Sequence, residues 1–346
     1  MNHQYYMQKA LDLALKGWLR VAPNPMVGAV IVKNEEIVAS GYHQQYGGPH
    51  AEVNAVNSLP PGVDPSDCTL YVTLEPCSHH GKTPPCADLL VSKGFKEVVI
   101  ACEDPNPLVA GKGTEKLKVA GISVITGVLE QEARQVNKRF ICFHEKQRPF
   151  ITLKWAITAD GFISRDPLPA DRKDNLITGP EAGLFVHQLR AGHMAILVGK
   201  NTILNDNPLL TTRLIEGKNP IRIFLDRQLQ VPRTARIFGS EAPTWIFNEL
   251  KEGKEDNVEY IRIGSNEEFI SFLLKVLKQR NVQSLMVEGG RQVLNDFMDR
   301  GLWDEAFVLQ NPALNFGNGI RGVDLDLGNE YKMLGNDRLF TFLKQN

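Results

Sequence analysis

Residues 50 to 86 place the tightest constraint on how this chain can fold. His50, Cys77 and Cys86 are the nitrogen and sulfur donors that a borderline-soft ion such as Zn²⁺ prefers, and three protein ligands leave a fourth position open for water. For the three to meet, three local structures must end at one point. Residues 50 to 58 read as a helix, which puts His50 and Glu52 at or next to its N-terminus. The β-branched, apolar run Thr69-Leu70-Tyr71-Val72-Thr73-Leu74 reads as a strand that delivers Glu75-Pro76-Cys77 at its C-terminal end, where α/β folds build their sites. A helix from about Pro85 to Ser92 then carries Cys86 in its first turn, facing back to the strand end. Glu52 is close enough to face a metal-activated water and to carry its proton to a leaving group. A closed structural site would instead need a fourth protein ligand, which His79 or His80 could supply.

At 346 residues the chain exceeds what one hydrophobic core holds, so two domains are expected. The boundary falls at Arg148-Pro149, where a helical pattern from about Leu129 to Glu145 stops and the strand Phe150-Ile151-Thr152-Leu153-Lys154 starts at once. The domains are therefore residues 1–147 and 148–346. In the first, residues 4 to 18 read as an amphipathic helix, and Pro23-Asn24-Pro25 is a rigid irregular loop. A hairpin follows, turning at Lys33-Asn34-Glu35-Glu36, and strand 96 to 101 ends in the loop Glu103-Asp104-Pro105-Asn106-Pro107. The second domain alternates helices 179 to 191 and 266 to 280 with strands at 195–198, 221–225, 244–247 and 284–287. After the last of these, Glu288-Gly289-Gly290 and a helix to about Met298 form a strand-turn-helix suited to phosphate, because free N–H groups at a helix start favour anions.

With 39 basic and 40 acidic residues the net charge is -1, so no overall field draws in nucleic acid or an anionic membrane. A nucleic-acid-editing enzyme with similar metal chemistry would need a basic channel lined with stacking aromatics, and only 8% of the residues are aromatic. Five cysteines, two of them metal-ligand candidates, speak against a disulfide framework and for a reducing, cytoplasmic location. Cys68, Cys102 and Cys142 are expected in the core. No apolar stretch approaches the ~20 residues of a membrane span.

His50-Ala51-Glu52 followed by Pro76-Cys77 resembles the H-x-E and P-C signature of zinc-dependent nucleobase deaminases, except that eight residues, Ser78 to Pro85, separate the cysteines. Together with Ala22-Pro23-Asn24-Pro25-Met26-Val27-Gly28 and the run from Glu75 to Cys86, they look like the deaminase half of the bifunctional riboflavin-biosynthesis deaminase/reductase family. The second half resembles that family's reductase in Leu153-Lys154, Asp160-Gly161, Ile196-Leu197-Val198-Gly199, Asn201-Thr202, Asp206-Asn207-Pro208, Leu210-Thr211-Thr212-Arg213 and Val287-Glu288-Gly289-Gly290.

The resemblance implies an α/β architecture: an N-terminal cytidine-deaminase-like three-layer α/β/α domain and a C-terminal dihydrofolate-reductase-like α/β domain. It implies two consecutive reactions on one small phosphorylated pyrimidine. Zinc-dependent hydrolysis removes the 2-amino group of 2,5-diamino-6-(5-phosphoribosylamino)pyrimidin-4(3H)-one; NADPH then reduces the ribosyl group to ribityl. By carry-over, His50, Cys77 and Cys86 hold one catalytic Zn²⁺ and Glu52 moves the proton. Asn24, His79, Lys82, Asp104 and Asn106 contact the first substrate. Lys154, Arg190, Leu210, Arg213 and Glu288 bind the second, while Thr202, Asp206 and Gly290 border NADPH. A chain with two active sites in series is expected to form a homo-oligomer. One stretch departs from the family: members commonly carry a serine and a tryptophan just ahead of an Ile-Thr pair, where this chain has Asp174-Asn175-Leu176-Ile177-Thr178. The aromatic contact to the cofactor is then missing or supplied elsewhere, with nearby Trp155 as one source and a core position as the commoner outcome for that residue.

Overall fold

The computed structural model describes residues 2–78, 84–107 and 109–344, and the chain divides into the units Met1–Gln147 and Arg148–Asn346. The first runs α1 (His3–Ala14), β1 (Gly28–Lys33), β2 (Glu36–Tyr42), α2 (Ala51–Asn57), β3 (Thr69–Val72), α3 (Cys86–Lys93), β4 (Glu97–Ile100), α4 (Lys112–Val119), β5 (Ser123–Thr126), α5 (Glu130–Val136) and α6 (Lys138–Glu145). The β1–β2 hairpin turns through Asn34 and Glu35, both at positive φ, the twist-matched geometry that two-residue hairpin loops favour. Its sheet has the order β2-β1-β3-β4-β5, antiparallel around β1 and parallel from β3 to β5.

Alternation along β1 sends Ala29 and Ile31 to one face and Val30 and Val32 to the other. The first pair packs with Ala51, Ala55, Leu90 and Leu117 of α2, α3 and α4. The second packs with Met7, Ala10 and Leu11 of α1, and with Ala133 and Ile141 of α5 and α6. Helices thus cover both faces and make three layers. Burial of each large apolar side chain contributes about 1.5–3 kcal/mol, and β3 is buried along its whole length.

The helix expected from Leu129 to Glu145 is two helices broken at Asn137. Asn137 spends its side chain on a distant loop: its Oδ1 accepts from Met26 N at 2.8 Å and its Nδ2 donates to Met26 O at 2.9 Å. The break thereby fixes the chain just beyond Asn24.

The second unit runs β6 (Phe150–Thr158), β7 (Phe162–Ser164), α7 (Pro180–Ala191), β8 (Ala195–Leu197), α8 (Lys200–Asp206), β9 (Ile221–Leu225), β10 (Thr244–Asn248), β11 (Gly253–Glu255), β12 (Val258–Arg262), α9 (Phe269–Gln279), β13 (Ser284–Glu288), α10 (Arg291–Asp299), β14 (Glu305–Asn311), β15 (Ile320–Arg321), β16 (Lys332–Leu334) and β17 (Asp337–Leu343). Its main sheet has the order β11-β12-β10-β9-β8-β13-β6-β14-β17-β16. The strands from β12 to β14 are parallel, and β11, β17 and β16 add antiparallel edges. Strand β6 is buried along nearly its whole length because both of its faces are covered. Ile151, Leu153 and Trp155 pack under α9 and α10, so Trp155 is a core residue. The opposite face holds Ile196, Phe224 and Met286 against Val186 and Leu189 of α7. Helix α9 starts at Phe269 rather than 266 because Glu268 caps it, accepting from Ile270 N and Ser271 N at 3.0 and 2.8 Å.

Candidate active sites

In the first unit, His50 is the N-cap of α2, Cys77 follows the end of β3, and Cys86 opens α3. The three converge. His50 Nδ1 stands 3.3 Å from Cys86 Sγ and 3.7 Å from Cys77 Sγ, and all three donor atoms lie within 4.8 Å of one another. Among the described residues no other group of three His, Cys, Asp or Glu donors comes together in this way. The electrostatics fit a cation between them. Cys86 donates to Cys77 from its thiol, and from its backbone N–H at 3.3 Å; these bonds hold the Cys77 thiol well below its ordinary range. The same pairing, with burial and the Glu52 charge, pushes the Cys86 thiol up. Two thiols that cannot both ionise alone can do so around a divalent ion, so one imidazole and two sulfurs suit Zn²⁺.

Glu52 sits in the first turn of α2 and is only 3% exposed. Burial raises its carboxyl above the usual carboxylate range, with the His50 charge opposing. Its carboxyl group meets the Cys86 thiol, which places it beside the donor set.

Asn24 is joined to His43, a residue the motif reading did not single out. The carbonyl of Pro49 can only accept, so His43 Nδ1 donates to it at 2.9 Å and Nε2 accepts from Asn24 Nδ2 at 3.1 Å. Burial keeps this imidazole neutral. Asn24 is thereby oriented with its Oδ1 as the remaining acceptor. Asp104 and Asn106 follow β4 and form a turn in which Asn106 N donates to Asp104 Oδ1 at 2.8 Å. His79 and Lys82 lie outside the described residues.

In the second unit, the register pairs Glu288 with Lys154 on neighbouring strands. Lys154 Nζ donates to Glu288 Oε1 at 3.0 Å. Arg190, on α7, grips both Glu288 oxygens: Nη2 at 3.1 and 2.9 Å and Nε at 3.1 Å. Burial would raise the Glu288 carboxyl, but Arg190 and Lys154 outweigh it and hold it at about 2. Arg190 Nη1 also reaches Thr211 O at 3.4 Å, and buried His187 accepts at Nδ1 from Arg213 N at 3.0 Å. The segment from Leu210 to Arg213 is therefore fixed from α7. Burial and the charges of Arg190 and Arg213 depress His187 to about 4, so it stays neutral. Partial desolvation, then repulsion from Arg190 and Arg236, lowers Arg213 itself although most of its side chain is exposed, a congregation of positive charge that an anion would relieve. His187 carries no motif, and only its position one helical turn from Arg190 could have marked it.

Gly289 and Gly290 both have positive φ after β13. A Cβ on either would lie 3.4–3.5 Å from Thr202 Oγ1, in the first turn of α8. Thr202 and Gly290 are thus neighbours across a narrow glycine cradle, a setting suited to close approach by a cofactor phosphate. Asp206 ends the same helix α8, a turn further on.

Fold and sites together define a two-domain enzyme, a zinc-binding deaminase region followed by a reductase that implies a nicotinamide cofactor. Residues 1–102 match the family model of the cytidine and deoxycytidylate deaminase zinc-binding region, and residues 149–325 match the RibD C-terminal domain. The riboflavin biosynthesis protein RibD of Aquifex aeolicus is 43% identical over 356 residues, covering 98% of each chain. That of Bacillus amyloliquefaciens is 44% identical, covering 90% of this chain and 85% of its own. The crystal structure of a diaminohydroxyphosphoribosylaminopyrimidine deaminase/5-amino-6-(5-phosphoribosylamino)uracil reductase from Thermotoga maritima superposes with a TM-score of 0.86 at 39% identity, covering 98% of this chain and 97% of that one. The chain belongs to the RibD family of riboflavin biosynthesis proteins. Its two units have the deaminase-like and reductase-like α/β folds that the motifs implied. No helix among the described residues is long and apolar enough to cross a membrane.

Proposed function

We propose that the first unit deaminates 2,5-diamino-6-(5-phosphoribosylamino)pyrimidin-4(3H)-one, and that the second reduces the ribosyl group of the product with NADPH to give 5-amino-6-(5-phosphoribitylamino)uracil. The observation that carries this reading is the convergence of His50, Cys77 and Cys86 beside buried Glu52, in a chain whose other half holds the Lys154–Glu288–Arg190 network. The name of the Thermotoga relative supports the substrate.

His50, Cys77 and Cys86 would hold zinc, which when bound acidifies a coordinated water towards neutral pH. Glu52 does the proton work: a carboxyl raised by burial can take a proton near neutrality and deliver it to the departing amine. Asn24 Oδ1 accepts from an N–H of the pyrimidine, its orientation set by His43. Asp104 and Asn106 complete the polar edge, and the family resemblance assigns His79 and Lys82 to the 5-phosphate.

In the second unit a reduced nicotinamide, when bound, supplies hydride to the ribosyl carbon. The Gly290 turn, Thr202 and Asp206 border it. Glu288, kept ionised, and Lys154 present an acceptor and a donor to the pyrimidine, and Arg213, with Arg190 behind it and Leu210 beside it, faces the phosphate. Incubation with the diaminopyrimidine ribotide, with NADPH, with NADH and without either, followed by mass analysis, tests both steps. Exchange of the amino group for oxygen without cofactor, and hydrogenation only with NADPH, are expected; unchanged ribotide would refute the reading.

A further inference from the structure

Glu75 follows β3, stands two residues ahead of Cys77, and is 3% exposed. Its own N–H donates to Cys102 O at 2.9 Å, so its main chain is fixed between β3 and β4. Among the described residues its carboxylate accepts from one stretch of main chain. Oε2 accepts from the backbone N–H groups of Asp104 and Gly111 at 3.3 and 2.9 Å, and Oε1 accepts from that of Thr114 at 2.9 Å. These donors bracket the connection between β4 and α4, which carries Asp104 and Asn106. Gly113, in the first turn of α4, packs directly on the strand end, since a Cβ there would stand 2.0 Å from Pro76 O. One negative group thus gathers N–H donors from a loop and from the start of α4, where negative charge is favoured.

We propose that Glu75 is a positioning residue of the first reaction: it locks the substrate-reading segment from Asp104 to Thr114 onto the strand end that delivers Cys77. Metal ligand and substrate contacts then keep a fixed spacing. Three N–H donors require an acceptor-only group with two oxygens, and a glutamine would turn an NH₂ towards at least one of them. The inference rests on the reading that Asp104 and Asn106 contact the substrate.

The test uses full-length, zinc-loaded protein carrying Glu75→Gln. The KM of deamination is expected to rise roughly tenfold or more, while kcat changes less than about threefold. Zinc content and reductase activity should stay unchanged, and hydrogen exchange at Asp104, Gly111 and Thr114 should accelerate. An unchanged KM, or a loss dominated by released zinc, overturns the proposal. Should Glu75→Gln not fold, Gly113→Ala pushes the same segment away from Pro76 and must raise the same KM. Asp104→Ala and Asn106→Ala separate the two levels. If they raise KM and Glu75→Gln does not, the positioning role fails alone; if they leave KM unchanged, the substrate reading fails and the inference falls with it.

Discussion

The two sites solve different electrostatic problems, and for that reason one is spelled out in the chain and the other is not. The deaminase site gathers His50, Cys77 and Cys86 from 37 consecutive residues, and its donors compete for protons until a cation joins them. The reductase site draws Lys154, Arg190 and Glu288 from three separated elements and is held together from within, by one carboxylate between two cations that leaves a net positive charge. A soft metal narrows the usable residue types to a few. An ion-pair network is built from the commonest charged residues, and only the fold reveals that they meet.

The largest expected effect falls on the metal side. Replacing Glu52 by Gln removes the proposed proton carrier and leaves the donors untouched, so ammonia release should fall about 10²–10⁴-fold with zinc content unchanged. Oxidation of the reduced nicotinamide cofactor on pre-deaminated substrate should persist at the wild-type rate. Retained deamination would break the contrast at its stronger end. Chelation should likewise silence only the first activity.

Glu288→Gln probes the other side, where removing one partner of a buried ion pair costs about 3–5 kcal/mol. Thermal unfolding of the second unit should move down accordingly, and reduction should be lost, with deamination retained. The pH dependence has a definite sign. The Glu288 carboxyl is held at about 2, below its ordinary 4.5, so its contribution is present above pH 4.5 and is lost as the pH falls towards 2. The variant should lose that part of the acid slope; an identical slope in both proteins would show that the network is not held this way.

Arg213→Ala should act more mildly. The arginine is exposed and touches no carboxylate in the described structure, so stability should hardly change. The KM for the phosphorylated substrate of the reductase should rise roughly tenfold, as expected for one lost charge-assisted contact. Inorganic phosphate should inhibit the wild type more than the variant.

How far each region could be read follows from the same contrast. The strand-Cys77 and helix-Cys86 placements follow from residue pattern, because a run such as Thr69–Leu74 and the helix after Pro85 are local structures. Asn137, by contrast, looks like one more residue of a long helix. Its breaking role depends on Met26, which is 111 residues away. His43 and His187 are missed for a related reason: each acts by accepting hydrogen bonds from neighbours, Asn24 for one and the main chain of Arg213 and Leu214 for the other, and no spacing rule encodes that. Strands β16 and β17, beyond the last readable helix, are half-exposed, with β16 at the sheet edge, and lack the nearly unbroken burial that marks β6 and β13.

The smallest effect is expected at Leu176, where the reductase departs from its family's usual tryptophan. Asn175 is anchored, its Oδ1 accepting from Arg165 N at 2.9 Å and its Nδ2 donating to Ser164 Oγ at 3.2 Å. Ile177 is buried with Phe162 and Phe316. Leu176 between them is 69% exposed on a backbone fixed at both sides, so a larger ring can be carried there without displacing the core. Trp155 cannot replace it, being packed under α9 and α10. An aromatic face at position 176 adds a stacking surface worth about 0.5–1.5 kcal/mol, so Leu176→Trp should lower the KM for NADPH by roughly two- to tenfold and leave deamination alone. No change in that KM would mean that the segment does not face the cofactor, and that the reductase site closes on its nicotinamide with the glycine cradle and Thr202 alone.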